Sequence, residues 1–244
     1  MNSFRIGKLD LGRIPRVVGT TVTRQALAEL AAGHRSAHCD VVELRLDLIQ
    51  PESGAPWQED ADLIQANGTP VLVTLRAEFE GGAFRGDEAR LNAFRQAQTC
   101  YACIDIESRS AICDSLCASA VEAGKPIIVS YHDFDATPEA AQLFDILERM
   151  CQCPNAIPKV ATMINRPEDL QVLEAIAATD LGRPKCLIGM GPLGVSSRTD
   201  LATRGSSLAY GYLDKSGAPG QIACEEMVRH FKAISPEYAQ QTSA

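Results

Sequence analysis

The run Ala156-Ile157-Pro158-Lys159-Val160-Ala161-Thr162-Met163 places one ammonium group in a short, otherwise uncharged stretch that reads as a buried β-strand. Lysine is rarely buried unless something compensates it. In a closed barrel, side chains alternate between the lumen and the surrounding helices. Lys159 and Ala161 then share the inner face while Pro158 and Val160 take the outer one. Burial disfavours the charged form, and an uncharged amine in an enclosed space can attack a carbonyl and form a Schiff base. A lysine that snorkels from a strand end to solvent is the bland alternative, so the rest of the chain has to decide.

Other residues offer chemistry of their own. His132, in Ser130-Tyr131-His132-Asp133-Phe134, ends a strand-like run, and an imidazole titrates near working pH, as a general base or acid must. A satisfied core or turn histidine reads the same way. Arg76-Ala77-Glu78-Phe79-Glu80-Gly81-Gly82 carries an arginine and a carboxylate into a double glycine, a pattern that a plain solvated loop shares. Gly189-Met190-Gly191-Pro192-Leu193-Gly194 could cradle a phosphate with backbone N–H groups. Arg198, just downstream, offers a planar fork to a carboxylate or phosphate. Ser216-Gly217-Ala218-Pro219-Gly220-Gln221 is small and bendable, as a lid must be, and equally suits a surface turn. Cys100-x-x-Cys103 and Cys151-x-Cys153 lack a matching pair with histidines at ligand spacing, so they read as structural thiols rather than a metal site.

These residues need elements to hold them. Residues 2–12 alternate around Gly7-Lys8 as a small hairpin that could plug a barrel end. Residues 16–21 follow as a strand and 23–33 as an Ala/Leu-rich helix. Strand-like runs then recur near Val41, Val71, Tyr101, Pro126, Ile157, Cys186 and Ser206, most separated by helical stretches such as 87–99 and 138–151. Eight strands with helical crossovers in a chain near ~250 residues indicate the α/β class, a (βα)8 TIM barrel. The expectation is one barrel domain over 1–244, with an N-terminal hairpin at 1–13 and a frayed tail at 236–244.

The strands carry a second message. Val42, Leu44, Leu46 and Leu48 alternate with Glu43, Arg45 and Asp47. Val73 and Leu75 alternate with Thr74 and Arg76, Ile104 and Ile106 with Asp105 and Glu107, and Ile127, Val129 and Tyr131 with Ser130 and His132. Helices cover the outer face of parallel strands, so the charged face must be the lumen. Charges enclosed together are costly unless they pair or meet a polar ligand, and such a barrel builds its active site at the carboxyl ends of its strands.

A net charge of −8 argues against nucleic acid or an anionic membrane as the main partner. Residues 1–11 hold Arg5, Lys8 and Asp10 and lack an apolar core, so secretion is not expected; a cytoplasmic location and reduced thiols are. No stretch approaches the ~18 apolar residues of a membrane span.

Taken in order, Glu43-x-Arg45-x-Asp47, Arg76-x-x-x-Glu80-Gly81-Gly82, Ile104-Asp105-Ile106-Glu107, Ser130-Tyr131-His132-Asp133-Phe134, Pro158-Lys159-Val160-Ala161, Gly191-x-x-Gly194 with Ser197-Arg198, and Ala218-Pro219-Gly220-Gln221 closely resemble type I 3-dehydroquinate dehydratase over residues 14–223. The resemblance implies a barrel of the Schiff-base aldolase kind and a homodimer. It also implies dehydration of 3-dehydroquinate to 3-dehydroshikimate in the shikimate pathway, with no metal or added cofactor. Carried over by position, Lys159 is the imine-forming lysine, His132 the general acid/base and Glu80 its supporting carboxylate. Glu43, Arg45 and Arg76 hold ring hydroxyls, Arg198 and Gln221 grip the carboxylate side, and Thr20 stands where the family often has serine. In the lid, Gly217 occupies the family's serine position and Ser216 sits one residue early. Either the loop shifts to bring Ser216 to the ligand, or Gln221 and a water replace that contact. Two rival readings are a class I aldolase acting on a sugar phosphate and a non-catalytic barrel that binds a polyhydroxy acid. Glu43 and Glu80 suit hydroxyls and a histidine better than phosphate, and pure binding needs no nucleophile.

Overall fold

The computed structural model describes residues 4–34, 38–49 and 57–241. Eight parallel strands form the barrel: β3 (Arg16–Thr21), β4 (Val41–Arg45), β5 (Val71–Thr74), β6 (Cys103–Glu107), β7 (Ile127–Asp133), β8 (Ala156–Met163), β9 (Cys186–Met190) and β10 (Leu208–Tyr212). They are hydrogen-bonded in the order β10-β3-β4-β5-β6-β7-β8-β9. The seam between β9 and β10 is held at its base, where the Ser207 N–H donates to the Lys185 carbonyl at 2.7 Å. The barrel is therefore nearly closed. After the strands, in turn, come α1 (Arg24–Ala31), α2 (Trp57–Ala66), α3 (Asp87–Cys100), α4 (Cys113–Glu122), α5 (Ala140–Cys151), α6 (Pro167–Ala178), α7 (Ser197–Thr203) and α8 (Cys224–Ile234).

Local sequence explains these boundaries. Val and Ile dominate the strands, where branched side chains suit a pleated, covered surface. The Thr23 hydroxyl caps α1 by accepting from the Ala26 N–H at 3.3 Å. Pro167 opens α6, where a missing N–H does no harm, and Asp169 accepts the N–H groups of Asn165 and Arg166 at 2.9 and 3.1 Å.

The alternation sorts into two cores. Val42, Leu44, Val73, Leu75, Ile104, Ile106, Ile127, Val129 and Val160 point outward into one cluster with the helices. Inside, Val18, Val41, Leu72, Cys103, Ile128 and Ile157 fill the amino-terminal half of the lumen together with Ile6. Ile6 comes from the hairpin of β1 (Arg5–Ile6) and β2 (Leu9–Asp10), so the hairpin does close that end of the barrel. The hairpin's expected first residues, 1–3, lie outside the described residues.

The frayed tail is corrected. Residues 236–241 form a further helix, α9 (Pro236–Gln241). Tyr238 is fully buried, its ring packs 5.6 Å from that of Phe231, and its hydroxyl donates to Asp40 at 2.9 Å. Arg16 donates to Gln241 at 2.8 Å. Small polar composition suggested fraying, but the anchoring partners lie about 200 residues away in sequence and are invisible to any local pattern. Residues 242–244 lie outside the described residues.

Candidate active site

Where the inward faces turn from apolar to charged, an open cleft lies in the carboxyl half of the barrel, about 580 Å³ with the open solvent at its mouth included. Thr20, Glu43, Arg45, Arg76, Glu80, His132, Lys159, Arg198 and Gln221 all line it. Of the ten residues expected, only Ser216 does not.

Lys159 points into the lumen from mid-β8 and is almost fully buried. Its amine is paired. Nζ donates to Asp105 at 2.8 Å and lies 4.0 Å from the centre of the Tyr210 ring, a cation–π contact. Asp105 in turn takes the Ser130 hydroxyl at 2.7 Å and Arg76 Nη2 at 2.8 Å. Burial alone would raise this carboxyl, but Arg76 and Lys159 outweigh it and hold Asp105 well below the usual carboxylate range. Arg76 also donates to Ser130 at 2.7 Å and Glu107 at 3.2 Å. Glu107 is braced from outside by the buried Arg90 of α3 and by the Ala77 N–H at 2.8 Å. Three N–H groups of Arg76 are thus committed to this charged layer, while the side chain also lines the cavity. Asp105, Glu107, Ser130, Tyr210 and Arg90 had no assigned role in the sequence. The signal that could have found Asp105 is its place on the same inward face as Arg76 and Lys159.

His132 stands near the end of β7. Its Nδ1 lies 2.9 Å from Glu80 Oε2, and its backbone N–H donates to the same oxygen at 3.1 Å. Burial, reinforced by Arg76 and Lys159, holds the imidazole well below its ordinary 6.5, so it is neutral at pH 7. Burial pushes the Glu80 carboxyl up to about 7, against the pull of Arg76 and Arg109. Glu80 reaches the histidine because the chain folds back over the end of β5. A Cβ at Gly82 would lie 2.0 Å from the Arg76 carbonyl, and Gly81 adopts φ +76° against the Phe134 ring. The double glycine is therefore required by the fold-back.

Around the rest of the mouth, Glu43 accepts the hydroxyls of Thr20 and Thr74, both at 2.8 Å. Arg45 makes a bidentate pair with Asp47 at 2.9 and 2.7 Å. Arg198 donates to the carbonyls of Pro219 at 2.8 Å and Tyr210 at 3.3 Å. Its buried Nε and the buried Tyr210 hydroxyl have no partner among the described residues, and burial lowers Arg198 to about 10. A buried donor of this kind on a cation suits an anionic ligand.

The lid follows β10. Gln221 donates to the Thr20 hydroxyl at 3.3 Å and accepts the Gly217 N–H at 2.9 Å. Ser216 is exposed and its hydroxyl donates to the Ala218 carbonyl at 2.9 Å, so in this arrangement of the loop it is turned away from the cavity. Gly217, Ala218 and Gln221 make the wall instead. Nor is the Gly189–Gly194 stretch arranged as a phosphate cradle. The Gly191 N–H donates to Pro219 at 3.3 Å, and a Cβ at Gly220 would meet the Gly191 carbonyl at 2.6 Å, so these glycines let the lid pack onto the end of β9.

A nearly closed parallel barrel that gathers an amine, an imidazole–carboxylate pair and several guanidinium groups at its carboxyl mouth defines an enzyme for a small, polar, acidic molecule. The model of the family described as type I 3-dehydroquinase matches residues 17–237. A 3-dehydroquinate dehydratase of Methanocella arvoryzae is 33% identical over 223 residues, covering 90% of this chain and 97% of the relative. One from Methanocaldococcus jannaschii is 35% identical over 192 residues, 75% of this chain and 82% of the relative. The crystal structure of the 3-dehydroquinate dehydratase from Aquifex aeolicus superposes with a TM-score of 0.78 at 30% identity, over 90% of this chain and 98% of that one. The chain belongs to the type I 3-dehydroquinase family.

Proposed function

We propose that this chain removes water from 3-dehydroquinate to give 3-dehydroshikimate, acting as a hydro-lyase of the shikimate pathway through a Schiff base on Lys159. The observation that carries the reading is one cavity that holds the buried amine, the neutral imidazole bonded to Glu80, and Arg198 with an unmatched N–H.

Hydroxide leaves poorly and a proton beside a ketone is weakly acidic. Lys159 attacks the ring ketone as the free amine; in all, two protons of its ammonium leave on the ketone oxygen as water, and a protonated imine remains. That cation withdraws electrons far more strongly than the ketone, so loss of the neighbouring proton gives a neutral enamine. His132, neutral in the buried site, takes that proton on Nε2 while Nδ1 stays bonded to Glu80. As imidazolium it returns the proton to the departing hydroxyl. One group serving both bonds requires them on one ring face, which makes the elimination syn. Water then frees the conjugated product from Lys159, which needs the lid to open. Arg198 and Gln221 hold the substrate carboxylate side, while Glu43, Arg45 and Thr20 meet hydroxyls; Arg76 acts through the charged layer beneath. The same reading takes the chain to be a cytoplasmic homodimer on the strength of its family, which its mass in solution checks.

Borohydride added with substrate should leave a stable adduct on Lys159 in the intact-mass spectrum and none on Lys159→Met. A wild-type protein that turns over substrate without an adduct would rule out the imine. A sugar phosphate cleaved in place of 3-dehydroquinate would favour the aldolase.

A further inference from the structure

Arg109 lies two residues beyond Glu107, outside every motif that carries the family resemblance. Its side chain is half exposed, 50% against none for Glu80, yet it is firmly placed. Nε donates to Glu80 Oε1 at 2.9 Å and Nη2 to the His132 carbonyl at 3.4 Å. The guanidinium lies over the Tyr131 ring at 4.9 Å and the Phe79 ring at 6.0 Å. One group thus ties the turn that carries Glu80 to the strand that carries His132.

We propose that Arg109 is a positioning residue: it holds Glu80 in the ionised form that fixes His132 in its proton-accepting tautomer. This rests on the roles given above to His132 and Glu80.

The argument is one of hydrogen-bond capacity. Ionised Glu80 only accepts: Oε1 from Arg109, and Oε2 from the His132 backbone N–H and from Nδ1–H. With the hydrogen on Nδ1, the lone pair is on Nε2, where a base needs it. A proton on Oε1 would face the Arg109 Nε–H, donor against donor. A proton kept on Oε2 would be donated as a hydrogen bond to Nδ1, which must then accept, so the ring hydrogen would sit on Nε2 and the base would be lost. Arg109 blocks the first arrangement and its charge disfavours both. The groups facing Glu80 are Arg76 from beyond β5, Glu107 from β6, Arg109 from the turn after β6, and Tyr131 and His132 from β7. Glu78, on Glu80's own turn, is paired outward with Arg85 at 2.6 Å. Arg76 is tied into the Asp105 and Glu107 layer, so Arg109 is the cation that can be removed while that layer stays intact.

The test is kcat/KM and kcat against pH for the full chain and for Arg109→Met, Arg109→Gln, Arg109→Lys and Glu80→Gln. Protonation of Glu80 sets the acidic limb, so losing the cation should move that limb up by roughly one pH unit. KM should stay near wild type, because Arg109 does not touch substrate. Arg109→Lys, which keeps a charge without the fork, should return the limb most of the way. If Arg109→Met does not fold, Arg109→Gln carries the same expectation. An acidic limb that coincides with wild type in a folded neutral variant, whatever the plateau rate, overturns the proposal and leaves the Schiff-base reading standing. A wild-type limb in Glu80→Gln overturns it too, by removing Glu80 as the titrating group. A Lys159 adduct that still forms in each variant shows that the imine chemistry is separate from the limb.

Discussion

The two halves of the barrel lumen are built by the same strands on the same face, yet they are opposite materials. In the amino-terminal half, Val41, Leu72, Cys103, Ile128 and Ile157 pack on Ile6 of the hairpin into a dry plug. Two residues further along each strand, the side chains are Glu43, Thr74, Asp105, Ser130 and Lys159. A single step of the pleat separates tight packing from a layer of buried charge. The apolar half gains its stability from surface removed from water. The charged half gains little, because desolvation consumes most of what pairing returns, and its ion pairs are evidence of function more than of stability. The difference is that changes in the apolar half should be felt mainly as stability and changes at the mouth of the charged half mainly as chemistry.

That contrast can be broken from either side. The largest effect belongs to the mouth. His132→Ala should lower kcat by about 10²- to 10⁴-fold with melting temperature near wild type, while borohydride still traps an adduct on Lys159. Stopped assays paired with intact-mass spectra check it, and full activity would remove His132 from its role. Next comes the plug. Leu72→Ala should cost about 2–5 kcal/mol of unfolding free energy in denaturant titration, with kcat per folded molecule near wild type. A large loss of kcat at full stability would mean the plug also tunes the site.

The smallest effect sharpens the comparison within the charged half, where His132 and Glu80 oppose one another. His132 is held below its ordinary 6.5 in the folded state, so the unfolded chain takes up a proton that the fold refuses, and stability falls as pH drops through that value. Glu80 titrates near 7 when folded and nearer 4.5 when unfolded, so its contribution rises as pH falls through that window. Glu80→Gln should therefore melt at lower temperature as pH goes from 7 to 5, and His132→Gln at higher temperature, by shifts on the order of 1 kcal/mol in wild-type terms. Equal slopes in the two variants would deny the opposition.

Much of this was legible in the chain. The alternation of Val42 and Leu44 with Glu43 and Arg45 assigned both faces, and Lys159 and His132 were singled out by residue type and by position along their strands. The pairing of Lys159 with Asp105 was not legible, because the two are 54 residues apart and neither sequence context names a partner. The direction of the Ser216 hydroxyl was not legible, because a loop's composition says that it can bend but not which way a side chain turns. The tail was misread for the same reason that Asp105 was passed over: Tyr238 looks solvent-compatible until Asp40 is beside it.

What the sequence determined by itself is periodic or chemical: the period of two that makes one face charged, the helix-length spacers that force parallel strands, and the amine and imidazole that no inert core needs. What only the tertiary structure decided is who meets whom across the lumen: Asp105 under Lys159, Arg109 over Glu80, the lid against Gly191. The physical reason is that periodicity is a property of neighbours along the chain, whereas a carboxylate's partner, and with it the side chain's charge and tautomer, is fixed by closure of the barrel over long stretches of sequence.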